Sequence, residues 1–273
     1  MKSYLAAAVQ MTSLPDLEKN LQQAEELIDL AVRRGAELIG LPENFSYLGD
    51  EAEKIANAAQ IAEQTEKFLK TMAQRYQVTL LGGGFPMPAS EGRVTNTALL
   101  ISPDGQELTR YDKVHLFDVN LPDGNTYRES STVVPGTTEP PVYDSAEFGK
   151  LGLSICYDVR FPEHYRHMAD MGVEVIFVPA AFTAFTGRDH WQVLLQARAI
   201  ENTAYVIAPA QTGVHYGRRQ SHGQAMVIDP WGLVLANAGR EPGIAVAAIE
   251  PERLLKVRQQ MPSLEHRVLT CRP

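Results

Sequence analysis

A chain of 273 residues, 44% hydrophobic and 21% charged, is long enough to bury a large core and has the balance of an ordinary soluble globular protein. Its formal net charge of −8 argues against the basic face that nucleic-acid binding needs, and it has neither a Lys/Arg run to mark a membrane surface nor an apolar segment long enough to span a bilayer. The N-terminal stretch MKSYLAAAVQMTS turns polar too soon for a signal peptide, so the expected compartment is the cytoplasm and the expected organisation one domain over 1–273. The two cysteines, Cys156 and Cys271, give no zinc-ribbon spacing, and a disulfide between them is disfavoured in a reducing compartment.

The chain opens with a short apolar strand, Tyr4 to Gln10. Leu17, Leu21, Ala24, Leu27, Ile28, Ala31 and Val32 then recur at helical spacing until Gly35 stops the helix. Ala36 to Leu41 predicts a second strand, which delivers Pro42-Glu43-Asn44-Phe45 to a strand's C-terminal end, where α/β folds build sites. There Glu43 is either a solvated loop carboxylate or an acid belonging to a site. A helix over about Thr65 to Tyr76 leads to a strand at Val78 to Leu81 and then to Gly82-Gly83-Gly84. No Walker Lys-Ser/Thr follows, so close packing between sheets explains the triple glycine better than a phosphate loop does.

Val94 to Ile101 and Glu107 to Tyr111 flank Ser102-Pro103-Asp104-Gly105, a hairpin signal. Lys113 follows at a strand end among apolar residues, where an ammonium needs anionic partners unless it snorkels to water. Asp123 to Glu129 (DGNTYRE) is a polar loop, of a length that in a compact domain tends to be functional. The apolar run Leu151 to Ile155 reads as a buried strand ending on Cys156, where a turn begins. Such a strand presents a sulfur at the floor of a pocket as a candidate nucleophile, although a buried cysteine is also a small inert hydrophobe.

Beyond it, Phe161 to Met171 and Asp189 to Asn202 predict helices, and Val173 to Pro179 and Tyr205 to Pro209 strands. His164 and His167 lie three apart on the first of these helices without an evident third ligand, so they read as packing residues and no metal is expected. Ala225 to Ile228 and Leu233 to Ala236 bracket the turn Asp229-Pro230-Trp231-Gly232; Ile244 to Ile249 is a last strand, and Glu252 to Gln260 a terminal helix. Alternating strands and helices imply an α/β protein with partly parallel pairing, and two mixed sheets packed face to face with helices outside accommodate the many short strands.

Glu43, Lys113 and Cys156 each end an apolar strand, in that order. With LPENF (41–45), YDKVHLFD (111–118) and CYDVRFPE (156–163), supported by HWQVLLQARAIEN (190–202) and DPWG (229–232), the sequence resembles the nitrilase, or carbon-nitrogen hydrolase, superfamily over nearly its whole length. That resemblance implies a nitrilase-type αββα sandwich, a cofactor-free Glu-Lys-Cys triad and a homodimer in which two sandwiches form a longer block. By motif position Glu43 would be the general base, Lys113 the oxyanion stabiliser and Cys156 the nucleophile, with Glu129 holding the lysine or the substrate in place. The chemistry asks for these groups: a thiol with a pKa near ~8.5 is only slightly ionised at neutral pH and needs a neighbouring proton acceptor or cation. Glu43 would pass the thiol proton to the departing amine and later deprotonate the water that opens a thioester, while Lys113 and the Tyr157 backbone N–H face the oxyanion.

Nitrile-hydrolysing members carry Cys-Trp-Glu where this chain has Cys156-Tyr157-Asp158, which points to amides. Arg160 matches a position that binds a substrate carboxylate in related amidases and carbamoylases; a salt bridge to Asp158 or Glu163 is its structural alternative. The segments 156–163, 187–201 and 210–232 are similar to a branch of amidases that split deaminated glutathione into 2-oxoglutarate and cysteinylglycine, and a sister branch, ω-amidase, acts on α-ketoglutaramate. His215, Arg218 and Arg219 share one polar loop, as recognition of a peptide-like anion would require and as a solvated surface loop would also carry. The expected partner is thus a small anionic amide, with neither nucleic acid nor membrane. A non-catalytic scaffold has no need of Glu43, Lys113 and Cys156 together.

Overall fold

Strand residues in the first half of the chain alternate between two apolar cores. In β1 (Tyr4–Met11), Ala6 and Ala8 belong to one core and Ala7 and Val9 to the other; Leu38 and Ile39 divide likewise in β2 (Ala36–Gly40), Leu81 and Leu80 in β3 (Thr79–Pro88), and Leu100 and Leu99 in β4 (Val94–Ile101). Side chains that alternate with a period of two and are apolar on both faces require cover on both sides of the sheet. One cover is helical: α1 (Leu17–Arg33) and α3 (Ala58–Tyr76) contribute Ala24, Ile28, Leu69 and Met72. The other is a second sheet. The structure, a computed structural model, describes residues 1–136 and 139–269; Cys271 lies outside the described residues.

In the first sheet β1, β2 and β3 are parallel, and β4 and β5 (Glu107–Asp112) continue antiparallel. β12 (Ala210–Val214) and β13 (Gln220–His222) extend it on the far side of β1, and β16 (Gly243–Ile249) pairs antiparallel along β1. The second sheet centres on parallel β9 (Gly149–Leu153), β10 (Val175–Phe177) and β11 (Tyr205–Ala208), edged by antiparallel β8 (Val142–Ser145) and by the hairpin β14 (Met226–Ile228) and β15 (Val234–Asn237). α4 (Pro162–Asp170) and α5 (Ala184–Asn202) bring Tyr165, Met168, Trp191 and Leu195 to its core. The layers are helix, sheet, sheet, helix, the expected sandwich of two mixed sheets. Among the described residues no helix is long and apolar enough to cross a membrane.

The triple glycine is a packing device, as its sequence predicts. A Cβ on Gly83 would lie 2.2 Å from the Leu41 carbonyl oxygen and 2.3 Å from Pro179 Cβ in the segment after β10; one on Gly82 would lie 2.4 Å from Leu69 of α3. Gly84, at φ +45°, completes a bulge in the β3–β4 ladder, and its carbonyl accepts from Asn44 N–H at 2.6 Å, anchoring the residue after Glu43.

Three segments depart from expectation. The helix expected from Thr65 starts at Ala58, behind a short α2 (Glu51–Ala56) capped by the Asp50 carboxylate. The polar loop DGNTYRE is the turn and second strand of a small hairpin, β6 (Asp118–Asn120) with β7 (Thr126–Arg128). Helix α5 begins five residues before Asp189, capped by Thr183, and includes Gly187, a poor helix former required there because a Cβ would lie 2.3 Å from His222 Cβ. The terminal helix, α6 (Pro251–Gln260), lies where expected.

Gly83→Ala should lower stability by about 1–3 kcal/mol or more, the range of overpacking a closed site. A urea unfolding midpoint indistinguishable from the parent would contradict the close approach at β3.

Candidate active site

Glu43, Lys113 and Cys156 come together where β2, β5 and β9 run out. Lys113 N–H donates to the Asn96 carbonyl at 2.9 Å, which continues the β4–β5 ladder one residue further and turns the lysine inward. Cys156 opens a 3₁₀ turn, Cys156–Arg160, with its N–H donating to Pro179 O at 2.9 Å and its backbone at φ +48°. That left-handed conformation is strained for a residue with a Cβ, and it lifts the sulfur out of the line of the strand. The first bond inside the turn is Asp158 N–H to Ile155 O, so the Tyr157 N–H precedes it and stands at the turn's open N-terminus.

Exposures of 3% for Glu43 and 2% for Lys113 mean that neither charge is solvated, and each is held by the other. The Lys113 ammonium lies 3.0 Å from Glu43 Oε1 and 3.0 and 2.8 Å from the two Glu129 oxygens. Glu43 Oε1 also accepts from Asn96 Nδ2 at 2.9 Å, and Oε2 from Ala181 N–H at 2.8 Å. Burial pushes the Glu43 carboxyl up, but the Lys113 charge, the neighbouring Cys156 thiol and the Ala181 N–H together hold it below the ordinary carboxylate value. Burial lowers the affinity of Lys113 for its proton, yet Glu129 and Glu43 outweigh it and keep the ammonium far above its usual value. The Cys156 thiol is pushed well up by burial and by the Glu43 carboxylate. An ionised carboxylate thus faces a protonated thiol, the arrangement in which the acid can take the thiol proton.

A cavity of about 440 Å³ opens over these groups, and of the residues expected at the site Glu43, Lys113, Glu129, Cys156, Tyr157, Arg160 and Arg219 all line it. Arg160 forms neither of the salt bridges considered for it: its guanidinium lies over the rings of Phe182 (5.0 Å) and Tyr157 (5.8 Å) and 3.2 Å from His190 Nδ1. His215 is the correction. It is 5% exposed, and both ring nitrogens are occupied, Nδ1 by Ser13 O and Nε2 by Ser221 Oγ, each at 2.8 Å. Burial holds it neutral, with a pKa lowered to about 4, so it ties the β12–β13 hairpin to the loop after β1 and offers no charge to a substrate.

Asn96 and the Ala181 N–H carry no motif of their own; the one hint of Asn96 is a polar residue inside the apolar run VTNTALLI. Behind the Cys156 turn, buried Asp158 accepts from Tyr111 O–H (2.9 Å), Ile155 N–H (2.8 Å) and His115 N–H (3.3 Å), and bonds His115 Nδ1 at 2.7 Å. With His164 these groups place donor atoms within 4.8 Å of one another, neighbours that spacing along the helix did not reveal. The Asp158 oxygens are already engaged in shaping the turn.

Fold and site together define a carbon-nitrogen hydrolase, and a family model described as Carbon-nitrogen hydrolase matches residues 5–259: the chain belongs to that family. Over 270 residues, 98% of this chain and 99% of the relative, it is 70% identical to the deaminated glutathione amidase of Synechocystis sp.. The crystal structure of the Caenorhabditis elegans NitFhit protein superposes with a TM-score of 0.93 at 38% identity, covering 98% of this chain and 66% of that one. A glutamate-to-glutamine mutant of the amidase from Nesterenkonia sp. AN1, showing the result of Michael addition of acrylamide at the active site cysteine, superposes with a TM-score of 0.79 at 28% identity, covering 96% and 99%.

The neutral His215 gives an acid-side signature. The unfolded chain binds a proton at the ordinary histidine value of 6.5, the folded one only near 4, so stability is full above pH 6.5 and falls as pH drops towards 4. This group alone accounts for up to about 3 kcal/mol at 1.36 kcal/mol per pH unit. Urea unfolding across that window should show a shallower pH slope in His215→Gln than in the parent; equal slopes would contradict the buried neutral imidazole.

Proposed function

We propose that this chain is a cysteine amidase that hydrolyses deaminated glutathione to 2-oxoglutarate and cysteinylglycine, with Glu43, Lys113 and Cys156 as its catalytic residues. The observation that carries the catalytic reading is a buried cysteine and a buried carboxylate on one cavity wall, the carboxylate held 3.0 Å from a buried ammonium. The near-full-length relative at 70% identity, which bears the name of this activity, supports the substrate.

In the first half-reaction Glu43 removes the Cys156 proton as the sulfur attacks the amide carbon. The carbonyl π electrons move onto oxygen, where the Lys113 ammonium and the Tyr157 N–H stabilise the charge. Collapse of this intermediate breaks the C–N bond, and Glu43 gives its proton to the leaving amine, leaving a 2-oxoglutaryl thioester on Cys156. In the second half Glu43 deprotonates a water that attacks the thioester, and the same two donors meet the second oxyanion. The carboxylate returns its proton to the departing sulfur. Glu129 does not touch the scissile bond in this scheme; it fixes Lys113, with Asn96 Nδ2 reaching both glutamates at 2.9 and 3.4 Å. Arg160, beside the nucleophile, is placed to receive the 2-oxo carboxylate.

A second copy of the chain is the proposed partner. Val193 and Ile200, seven residues apart on one face of α5, are 65% and 52% exposed, and the Ile200 side chain abuts the Asp229–Gly232 turn beside exposed Trp231 and Leu233, an apolar patch of the kind that marks an interface.

The deciding assay follows 2-oxoglutarate release from deaminated glutathione and, in parallel, from α-ketoglutaramate. Deaminated glutathione is expected to show the larger kcat/KM, Cys156→Ala to be inactive, and Lys113→Met to lose at least about 10²–10³ in rate, as removal of an oxyanion donor does. Preference for α-ketoglutaramate would make the enzyme an ω-amidase; no Cys156-dependent turnover of either would overturn the substrate.

A further inference from the structure

On a chain of net charge −8 the cavity wall is electropositive. Apart from the reacting groups and Glu129 it carries Lys54, Arg128, Arg160, Arg218 and Arg219 against a single carboxylate, Glu51. Two of these cations are set into the wall. The Lys54 side chain is only 11% exposed, and half-buried Arg219 lies over the Tyr127 ring at 5.9 Å. Both lean on one acid: the Lys54 ammonium pairs with Glu51, which also accepts from Thr132 Oγ1 at 2.8 Å and lies in the field of Arg219. One carboxylate shared between two cations leaves this part of the wall with net positive charge, to which an anionic ligand group is attracted.

Arg160 stands elsewhere. Its charge acts on Cys156 and Tyr157, whereas that of Arg219 acts on Tyr216, Glu51 and Glu43. Between the two runs an aromatic strip, Tyr157 to Phe117 at 5.0 Å and Phe117 to Tyr127 at 5.1 Å, ending under the Arg219 guanidinium. A cavity with a cation beside the nucleophile and a second cationic pole along an apolar strip fits an amide with a carboxylate at each end. We infer that Lys54 and Arg219 form a second anion subsite, which receives the carboxylate at the far end of the leaving group. This rests on the amidase reading above. An extended two-residue leaving group reaches about 7 Å from the scissile bond, along that strip. A mono-carboxylate such as α-ketoglutaramate leaves the subsite empty, so the subsite is what separates the two substrates.

The test compares deaminated glutathione with the same compound bearing a glycine carboxamide in place of the terminal carboxylate, in the parent enzyme, Lys54→Met and Arg219→Gln. Arg219 lies in a hairpin turn, so its variant keeps the experiment informative if loss of Lys54 disturbs the Glu51 environment. In the parent, kcat/KM should fall about 10- to 100-fold on the carboxamide, the worth of a charge-assisted hydrogen bond. In each variant the ratio should shrink several-fold, through a higher KM for the carboxylate compound. A parent that turns over both compounds equally, or variants that keep the parent's ratio, would overturn the subsite and leave the amidase reading intact. A parent that turns over neither would overturn that reading and the subsite with it.

Discussion

An ammonium group in a dry interior exists only if anions come to it, and most of this site follows from that requirement at Lys113. Its two partners arrive by different routes, Glu43 from the end of β2 and Glu129 from the foot of the β6–β7 hairpin. Glu43 in turn uses its second oxygen to accept from Ala181, which follows β10 in the opposite sheet, and its own backbone carbonyl accepts from Gln211 Nε2 at 3.1 Å. The ion pair is therefore also a cross-brace between the two sheets. Displacing any one member would strand a charge with almost no access to water, a penalty of several kcal/mol.

The same burial sets the division of labour. A cation next to a thiol usually favours thiolate, yet here the lack of solvent and the Glu43 carboxylate prevail, and the resting sulfur keeps its proton. The negative charge of the pair resides on the carboxylate, where Lys113, Asn96 and Ala181 already solvate it. In the proposed mechanism it moves to the sulfur when attack begins, and from there to an oxygen within the field of the same lysine. Little has to reorganise, because the donors are fixed by strand ends and by the strained turn at Cys156.

What the sequence discloses of this arrangement, and what it hides, divides along a physical line. Glu43, Lys113 and Cys156 stand out because a polar residue closing an apolar run is a local pattern, and the hairpins at Ser102–Gly105 and Asp229–Gly232 are encoded by their own turn residues. Contributions made by the backbone, such as the Ala181 N–H, leave no trace in side-chain chemistry. Lys54 and Glu51 carry no motif either: the burial of the lysine side chain and the Thr132 hydroxyl that donates to Glu51, some eighty residues away, are set by the fold. His215 misleads for the same reason: beside two arginines it looks basic, but Ser13, some two hundred residues away, supplies the carbonyl that makes it a neutral clip. Chemistry at strand ends is local; burial is decided by distant partners.

Glu129 binds Lys113 through its carboxylate, and that carboxylate also accepts from Phe117 N–H at 2.6 Å, while its own N–H donates to Phe117 O at 3.4 Å. The hairpin between these residues is thus knotted shut at its neck by the group that steadies the lysine, and its tip around Asp123–Asn125 is exposed. Everything beyond the neck can lengthen, shorten or change its side chains without loosening the reacting atoms. The enzyme consequently carries an exchangeable faceplate: descendants can acquire new tastes in amides by rewriting this hairpin while inheriting the reaction unaltered.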